Sequence, residues 1–348
     1  MKKMICRLLL LSFALGQTTL ATESSINVLL PGAESVQQKP TYHSEDVTYR
    51  NGAISLGALL MIPESRKRLP AAVIIQGSGS SDRTNQWARA IAEVLVNKGT
   101  AVLLTDKRGS GKSEGNWQTA DFNDLAADAI AGVQYLHARN EIDSEKVGLV
   151  GLSQGGWIAP LAAARSKQVA FVIAISGASV SFAEQSFTEM ANTARQAGLN
   201  EKQVREVLEL NRAVAEYLTT GDWQTYSEHR ERALKSEWGR IAAGFPRTPD
   251  QPVWSFLRGV AAYDPLPYWL QLTKPVLVIY GEKDEQDNVP VAESVRRLQH
   301  TFAIVRKENY RIVVIPNAGH ALTDNERHEL MPAFVATLTS WFGEFIMK

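Results

Sequence analysis

The stretch Val147-Gly148-Leu149-Val150-Gly151-Leu152-Ser153-Gln154-Gly155-Gly156 constrains what this chain can fold into more than any other. Its first half is an apolar run of strand formers, and its second half is Gly-x-Ser-x-Gly. Residues 157–164 read as a buried helix that accommodates Pro160 in its early turns. A strand, a sharp turn and a helix are the context in which Gly-x-Ser-x-Gly presents a serine on a strained elbow. The reason is steric. A serine forced into such a turn needs neighbours without Cβ, so that helix and strand can approach; Gly151 and Gly155 supply that space and Gly156 adds to it. Alone, the motif is equally a plain Gly/Ser turn. The rest of the chain has to decide.

Upstream, the dipeptide Asn51-Gly52 between residues 47–50 and 53–62 predicts a β-hairpin with a type I′ turn. Residues 71–75 form a short, continuous apolar run of the kind buried on both faces of a parallel sheet. The chain then alternates: a helix over 84–97, a strand over 100–105, a glycine-rich loop at 106–115, a helix over 121–139, the elbow strand and helix, and a strand over 169–176. Between 179 and 262 no strand is expected, only helices near 182–196, 201–219 and 222–240, with a Pro-containing loop at 247–252. Alternation resumes with strands at 275–280 and 311–315 and helices from 291 and over 325–345. This pattern predicts an α/β fold, with a mostly parallel central sheet and helices on both faces. Residues 179–262 then form a helical cap insertion between two parts of the core, 22–178 and 263–348. Such an insertion belongs over the carboxyl ends of the strands, where open sheets bind ligands.

Composition narrows the partners. Lys plus Arg and Asp plus Glu both total 37, so the chain lacks the basic surplus of a nucleic-acid binder. Met1-Lys2-Lys3, an apolar run from Ile5 to Leu15, and Thr19-Leu20-Ala21 have the layout of a secretory signal peptide over residues 1–21. The apolar run is short for a bilayer span, so no lasting membrane insertion is expected after cleavage. The single cysteine, Cys6, lies inside that segment. A mature protein without cysteine points to a bacterial periplasmic or secreted enzyme with no disulfides and no cysteine nucleophile.

Two glycine-rich loops resemble phosphate cradles but lack their residues. Asp106 stands where a P-loop needs its first glycine before Gly111-Lys112-Ser113, and Asp82 replaces the third glycine after Gly77-Ser78-Gly79. A serine hydrolase of this topology instead needs an acid and then a histidine after the serine in chain order. His320, in Asn317-Ala318-Gly319-His320 directly after the last strand, is placed to take the serine's proton. His43, His137, His229, His300 and His328 fall away from strand ends. The acid is expected in Gly281-Glu282-Lys283-Asp284-Glu285-Gln286-Asp287, with Asp284 favoured and Asp287 the alternative. Two backbone N–H groups must meet the developing oxyanion; those of Gln154 and Ser78 are expected to do so.

Taken together, these motifs resemble the α/β-hydrolase superfamily, and most of all bacterial acyl esterases related to its serine aminopeptidase and lysophospholipase-like branch. The resemblance rests on Gln76-Gly77-Ser78-Gly79, on Asp106-Lys107-Arg108-Gly109-Ser110-Gly111-Lys112-Ser113, on Gly151-Leu152-Ser153-Gln154-Gly155-Gly156, on Gly281-Glu282-Lys283-Asp284 and on Asn317-Ala318-Gly319-His320. It implies Ser153 as nucleophile, His320 as base, Asp284 as acid and Arg108 as a brace of its loop. The chain departs from the family at Gln76, where many relatives carry His, and in two extra residues between Asp284 and Val289-Pro290. The expected activity is hydrolysis of a small-molecule acyl ester without metal or organic cofactor. Trp223, Tyr226, Trp238, Phe245, Trp254 and Phe256 are expected either to bound an acyl pocket or to pack the insertion on the core. A serine exopeptidase is the second reading, with Glu184, Glu189, Glu206 or Glu209 to hold a substrate amine. A non-catalytic binding protein of the same fold is the third.

Overall fold

The computed structural model describes residues 41–324 and 329–347. The expected signal peptide, nearly all of the lead-in after it and His328 lie outside the described residues. The chain opens with β1 (Tyr42–Asn51) and β2 (Ile54–Pro63), an antiparallel pair closed by Asn51 opposite Ile54. The turn therefore centres on Gly52 and Ala53, not on Asn51 and Gly52. Gly52 has φ +56° and Ala53 is not among the residues of positive φ. That is the type II′ pattern, which wants glycine at the first central position, and it replaces the expected type I′ turn.

Next come β3 (Leu69–Ile75), α1 (Gln86–Val96), β4 (Ala101–Thr105), α2 (Phe122–His137), β5 (Ile142–Leu152), α3 (Gly155–Arg165) and β6 (Val172–Ile175). Six helices follow before the next strand: α4 (Phe182–Gln196), α5 (Glu201–Thr220), α6 (Trp223–Leu234), α7 (Gly239–Ala242), α8 (Val253–Val260) and α9 (Leu266–Trp269). The chain closes with β7 (Val276–Gly281), α10 (Val291–Ile304), β8 (Tyr310–Ile315) and α11 (Pro332–Phe345). The strands lie in the order β1-β2-β4-β3-β5-β6-β7-β8. The pairs β1/β2 and β2/β4 are antiparallel, and every other pair is parallel.

Alternation along the strands builds the two cores. Ala71, Val73 and Ile75 face one core with α2 and α3, while Ala72 and Ile74 face a second with α1 and α11. Likewise Val276, Val278 and Tyr280 point one way, and Leu277 and Ile279 the other. Because both faces are covered, each of these strands reads as a continuous apolar run rather than an alternating one. The architecture is the expected one: α/β, a mostly parallel sheet, helices on both faces.

Three boundaries differ from expectation. The helix expected over 222–240 divides, because the Ser236 hydroxyl takes the Ala233 carbonyl at 2.6 Å and competes with the helical ladder. The short helix α8, directly after Pro252, was not foreseen; Trp254, Phe256, Leu257 and Val260 are its buried face. The last helix starts at Pro332, whose missing N–H suits a first helical position. Just before it, Leu330 pairs with Thr323 in an antiparallel bridge.

Among the described residues no helix is long and apolar enough to cross a membrane. The inserted helices reach the carboxyl edge of the sheet. Asn192 and Gln196 on α4 donate to the carbonyls of Glu285 (3.0 Å) and Gln286 (2.7 Å), just beyond β7. Arg297 on α10 binds Glu184 on α4 at 2.7 Å, and this guanidinium pulls the Glu184 carboxyl down to about 2.

Candidate active site

Ser153 follows β5 directly and has φ +52°, a left-handed conformation that costs a residue with a Cβ. Its surroundings leave it no other. A Cβ on Gly151 would lie 2.0 Å from the Gly155 carbonyl oxygen, and one on Gly155 would lie 2.3 Å from that of Ile75. Helix α3 can therefore start within van der Waals reach of the sheet only because both positions lack a side chain. The Ser153 N–H is tied to the Ile175 carbonyl at 2.8 Å, and its own carbonyl accepts from Gly156 at 2.8 Å.

Three expected residues meet in one hydrogen-bonded line. The Ser153 hydroxyl lies 2.9 Å from His320 Nε2, and His320 Nδ1 lies 2.8 Å from Asp284 Oδ2. With a carboxylate accepting at Nδ1, that nitrogen carries the proton and Nε2 accepts from the hydroxyl. Asp284 is completely buried, and its other oxygen accepts from the Asn288 N–H at 3.3 Å. Asp287 is brought elsewhere: it is exposed, and its carbonyl accepts from Asn192 at 3.3 Å. The longer spacing before Val289 forms a 3₁₀ turn, Glu282–Gln286, that directs Asp284 inward and leaves Asp287 outside.

The loops carrying the acid and the histidine are bound to each other. The Glu282 carboxylate accepts from the Asn317 N–H at 2.8 Å, and the Lys283 N–H donates to the Ala318 carbonyl at 2.8 Å. Two neighbours of His320 were missed from the sequence. Ser176, at the end of β6 with φ +53°, donates its hydroxyl to the His320 carbonyl at 2.7 Å. Trp87 on α1 lies with its ring centroid 5.8 Å from the imidazole. Trp87 was legible only as an apolar helix position. A serine at a strand's carboxyl end is the one signal that Ser176 offered.

On the opposite side of Ser153, Gly77 packs so closely that a Cβ there would lie 3.4 Å from the serine's Cβ. Among the described residues, the backbone N–H groups of Ser78 and Gln154 make no hydrogen bond within the protein. Gln76, which stands where many relatives have His, turns away from the serine. Its amide donates to the carbonyls of Thr105 (3.0 Å) and Asp82 (3.1 Å) and its oxygen accepts from Ser81 (3.0 Å). It braces the loop that carries Ser78.

The loop after β4 is held by buried charges. Although burial works against it, Asp106 is kept ionised below the usual carboxylate range by Arg83 and the Lys112 N–H. Arg108 binds Asp128 at 2.7 Å, a brace of the kind expected. Lys107 is also buried. Its ammonium donates to the Gly77 carbonyl and, at 2.9 Å, to the Gln154 side chain. Burial pushes its pKa down to about 7.

A cavity of about 240 Å³ opens among the inserted helices. Phe182 and Phe187 of α4, Val214 and Leu218 of α5, and Phe256 and Leu257 of α8 give it apolar walls. Of the aromatic residues singled out in the sequence, Phe256 alone lines it. Trp223, Tyr226 and Trp254 cluster with Tyr217 within the helical layer, as packing. Three of the four glutamates considered as amine binders are engaged elsewhere: Glu184 with Arg297, Glu206 with Trp238 Nε1 at 3.0 Å, and Glu209 with Arg212; Glu189 is buried on α4.

A family model described as "Alpha/beta hydrolase family" matches residues 72–334. Quorum-quenching protein AidA of Acinetobacter baumannii is 31% identical over 129 residues, 37% of this chain and 42% of that protein. Thiohydrolase aneE of Aspergillus aculeatus is 35% identical over 108 residues, 30% of this chain and 33% of that protein. The chain thus spans less than half the length of either relative. Among solved structures, the Pyrococcus furiosus esterase PF2001 superposes with TM-score 0.58 at 16% identity, covering 91% of this chain and 96% of that one. Est1E from Butyrivibrio proteoclasticus, with ferulic acid bound, gives TM-score 0.57 at 20% identity over 87% of this chain and 100% of that one. At these identities the superpositions show a shared fold.

Proposed function

The chain belongs to the alpha/beta hydrolase family, and from that premise we propose that it is a serine hydrolase cleaving carboxylic esters through an acyl-enzyme on Ser153. The observation that carries this reading is the continuous line Ser153 Oγ, His320 Nε2, His320 Nδ1, Asp284 Oδ2, with links of 2.9 and 2.8 Å, on a serine held at φ +52°.

The chemistry follows from that line. As the Ser153 oxygen attacks the acyl carbonyl, its proton passes to His320 Nε2, and Asp284 stabilises the imidazolium that forms. The carbonyl oxygen becomes an oxyanion, which the N–H groups of Gln154 and Ser78 would bind. Collapse of the tetrahedral intermediate expels the alcohol, which takes the proton from Nε2. Water then repeats the sequence on the acyl-enzyme: His320 removes its proton, the oxyanion forms again, and the acid leaves as Ser153 recovers its hydrogen.

The cavity among α4, α5 and α8 would take an apolar acyl or alcohol group, and its size favours a short to medium chain. A thioester differs from an ester only in its leaving group, and the thiohydrolase relative makes acyl thioesters a second substrate to try. The engagement of Glu184, Glu206 and Glu209 weighs against an exopeptidase. Export through residues 1–21 would place the enzyme in the periplasm or outside the cell. The test is hydrolysis of p-nitrophenyl esters from acetate to decanoate by the wild type beside Ser153→Ala. Turnover that vanishes in the variant supports the reading. Turnover that persists in the variant, or a wild type that is silent on esters and thioesters alike, refutes it.

A further inference from the structure

We propose that Lys107 is a positioning residue that sets the direction of the Ser78 N–H and holds its loop against Gln154, the residue of the second oxyanion-binding N–H, by tying the Gly77 carbonyl to the Gln154 side chain. The proposal rests on the serine-hydrolase reading of Ser153.

The geometry is that of one donor between two loops. Lys107 is 7% exposed, and its ammonium reaches the Gly77 carbonyl of one loop and the Gln154 Oε1 of the other. The Gly77 carbonyl and the Ser78 N–H belong to the same peptide group. That group is planar and trans, since the described chain has no cis peptide bond. In a trans peptide the C=O and N–H point in opposite directions. Drawing the carbonyl toward Lys107 therefore turns the Ser78 N–H away from it. A Cβ on Gly77 would lie 3.4 Å from the serine's Cβ and 4.0 Å from its hydroxyl oxygen, so the group being turned is one beside the proposed nucleophile.

A glycine on one side of that peptide leaves its rotation cheap, so an anchor has something to prevent. The Gln154 link ties the same ammonium to the side chain of the residue that supplies the second N–H, so the loop carrying Ser78 is held against the start of α3. No carboxylate pairs with Lys107 among the described residues. A lone cation in a dry site is costly to the fold.

A positioning role and a merely structural one separate experimentally. In Lys107→Met the positioning role predicts that kcat falls about tenfold or more, a fraction of the loss expected for removing an oxyanion donor outright. KM should stay within about twofold, because the interaction acts in the transition state. The melting temperature should shift by only about a few degrees, because two buried acceptors lose their donor while the burial cost of the ammonium is removed. A trifluoromethyl ketone, which adds to the serine and forms the oxyanion, should lose affinity by the same factor as kcat/KM. Gln154→Ala keeps the backbone N–H but removes one tether, and a smaller kcat loss is expected; it decides the matter if Lys107→Met fails to fold. Lys107→Met with wild-type kcat and ketone affinity overturns the proposal, as does a loss of activity that only tracks a loss of stability. A Gln154→Ala variant with unchanged kcat overturns it too. A wild type that neither hydrolyses esters nor labels with a fluorophosphonate overturns the serine-hydrolase reading, and this proposal with it.

Discussion

At the elbow between β5 and α3, an unfavourable backbone conformation is held by atoms that have nowhere to go; in α4 and α5 the chain carries no such strain. Ser153 sits at φ +52°, and the glycines flanking it are hemmed in by carbonyl oxygens at 2.0 and 2.3 Å from where a Cβ would be. Helices α4 and α5 instead begin on reciprocal capping boxes, Ser181 with Glu184 and Asn200 with Gln203, and α5 ends on Gly221 in the left-handed conformation. The first region fixes Ser153 and tolerates almost no substitution. The second encloses a cavity with side chains that can be exchanged for others of similar size. Under the proposed function, chemistry would belong to the first and choice of substrate to the second.

The largest effects should come from the hydrogen-bonded line. His320→Ala is expected to lower kcat by roughly 10⁴-fold and Asp284→Asn by about 10³ to 10⁴-fold, with the fold retained by circular dichroism. Asp287→Asn should stay within about twofold of wild type in the same ester assay. Equal losses from the two aspartate variants would erase the distinction between the buried and the exposed carboxylate.

Next is the elbow's packing. Gly155→Ala places a methyl group against the Ile75 carbonyl and should cost about 3 kcal/mol or more in urea unfolding. A variant of near wild-type stability would show that α3 can retreat, and that the elbow is not the rigid partner in the comparison. A smaller effect, on selectivity, is expected from Leu218→Trp in the cavity wall. The preferred p-nitrophenyl ester should shorten by several carbons, while acetate turnover changes by about threefold or less. An unaltered profile would detach the cavity from the substrate. Smallest is Ser181→Ala, which removes the cap of α4 and should cost about 1 kcal/mol by the same unfolding measurement, with little change in kcat.

The regions also differ in how far they could be read from sequence. Continuous apolar runs marked β3, β5 and β7, because strands covered on both faces need no polar positions. Gly-x-Ser-x-Gly marked the elbow, because a steric demand for missing Cβ atoms leaves a residue signature. Asp284 is favoured by the sequence but Asp287 stays open there, since a 3₁₀ turn of five residues decides which faces inward. Ser176 and Trp87 escaped because their meeting with His320 is long-range, and neither residue type announces it. Lys107 was read as part of a structural loop; its burial against Gly77 and Gln154 depends on how two distant loops close. In the inserted helices, apolar spacing located α4 and α5 well. Their aromatic residues gave no indication of which would line a cavity and which would fill the layer.

The central claim is that the side chain at the elbow is an activated nucleophile. The most direct measurement is mass-spectrometric mapping of a fluorophosphonate adduct on the wild type and on His320→Ala. The account predicts stoichiometric modification at Ser153 in the wild type, and labelling slowed by orders of magnitude when the imidazole is gone. Modification at another residue, or equal labelling of Ser153 without His320, would contradict it.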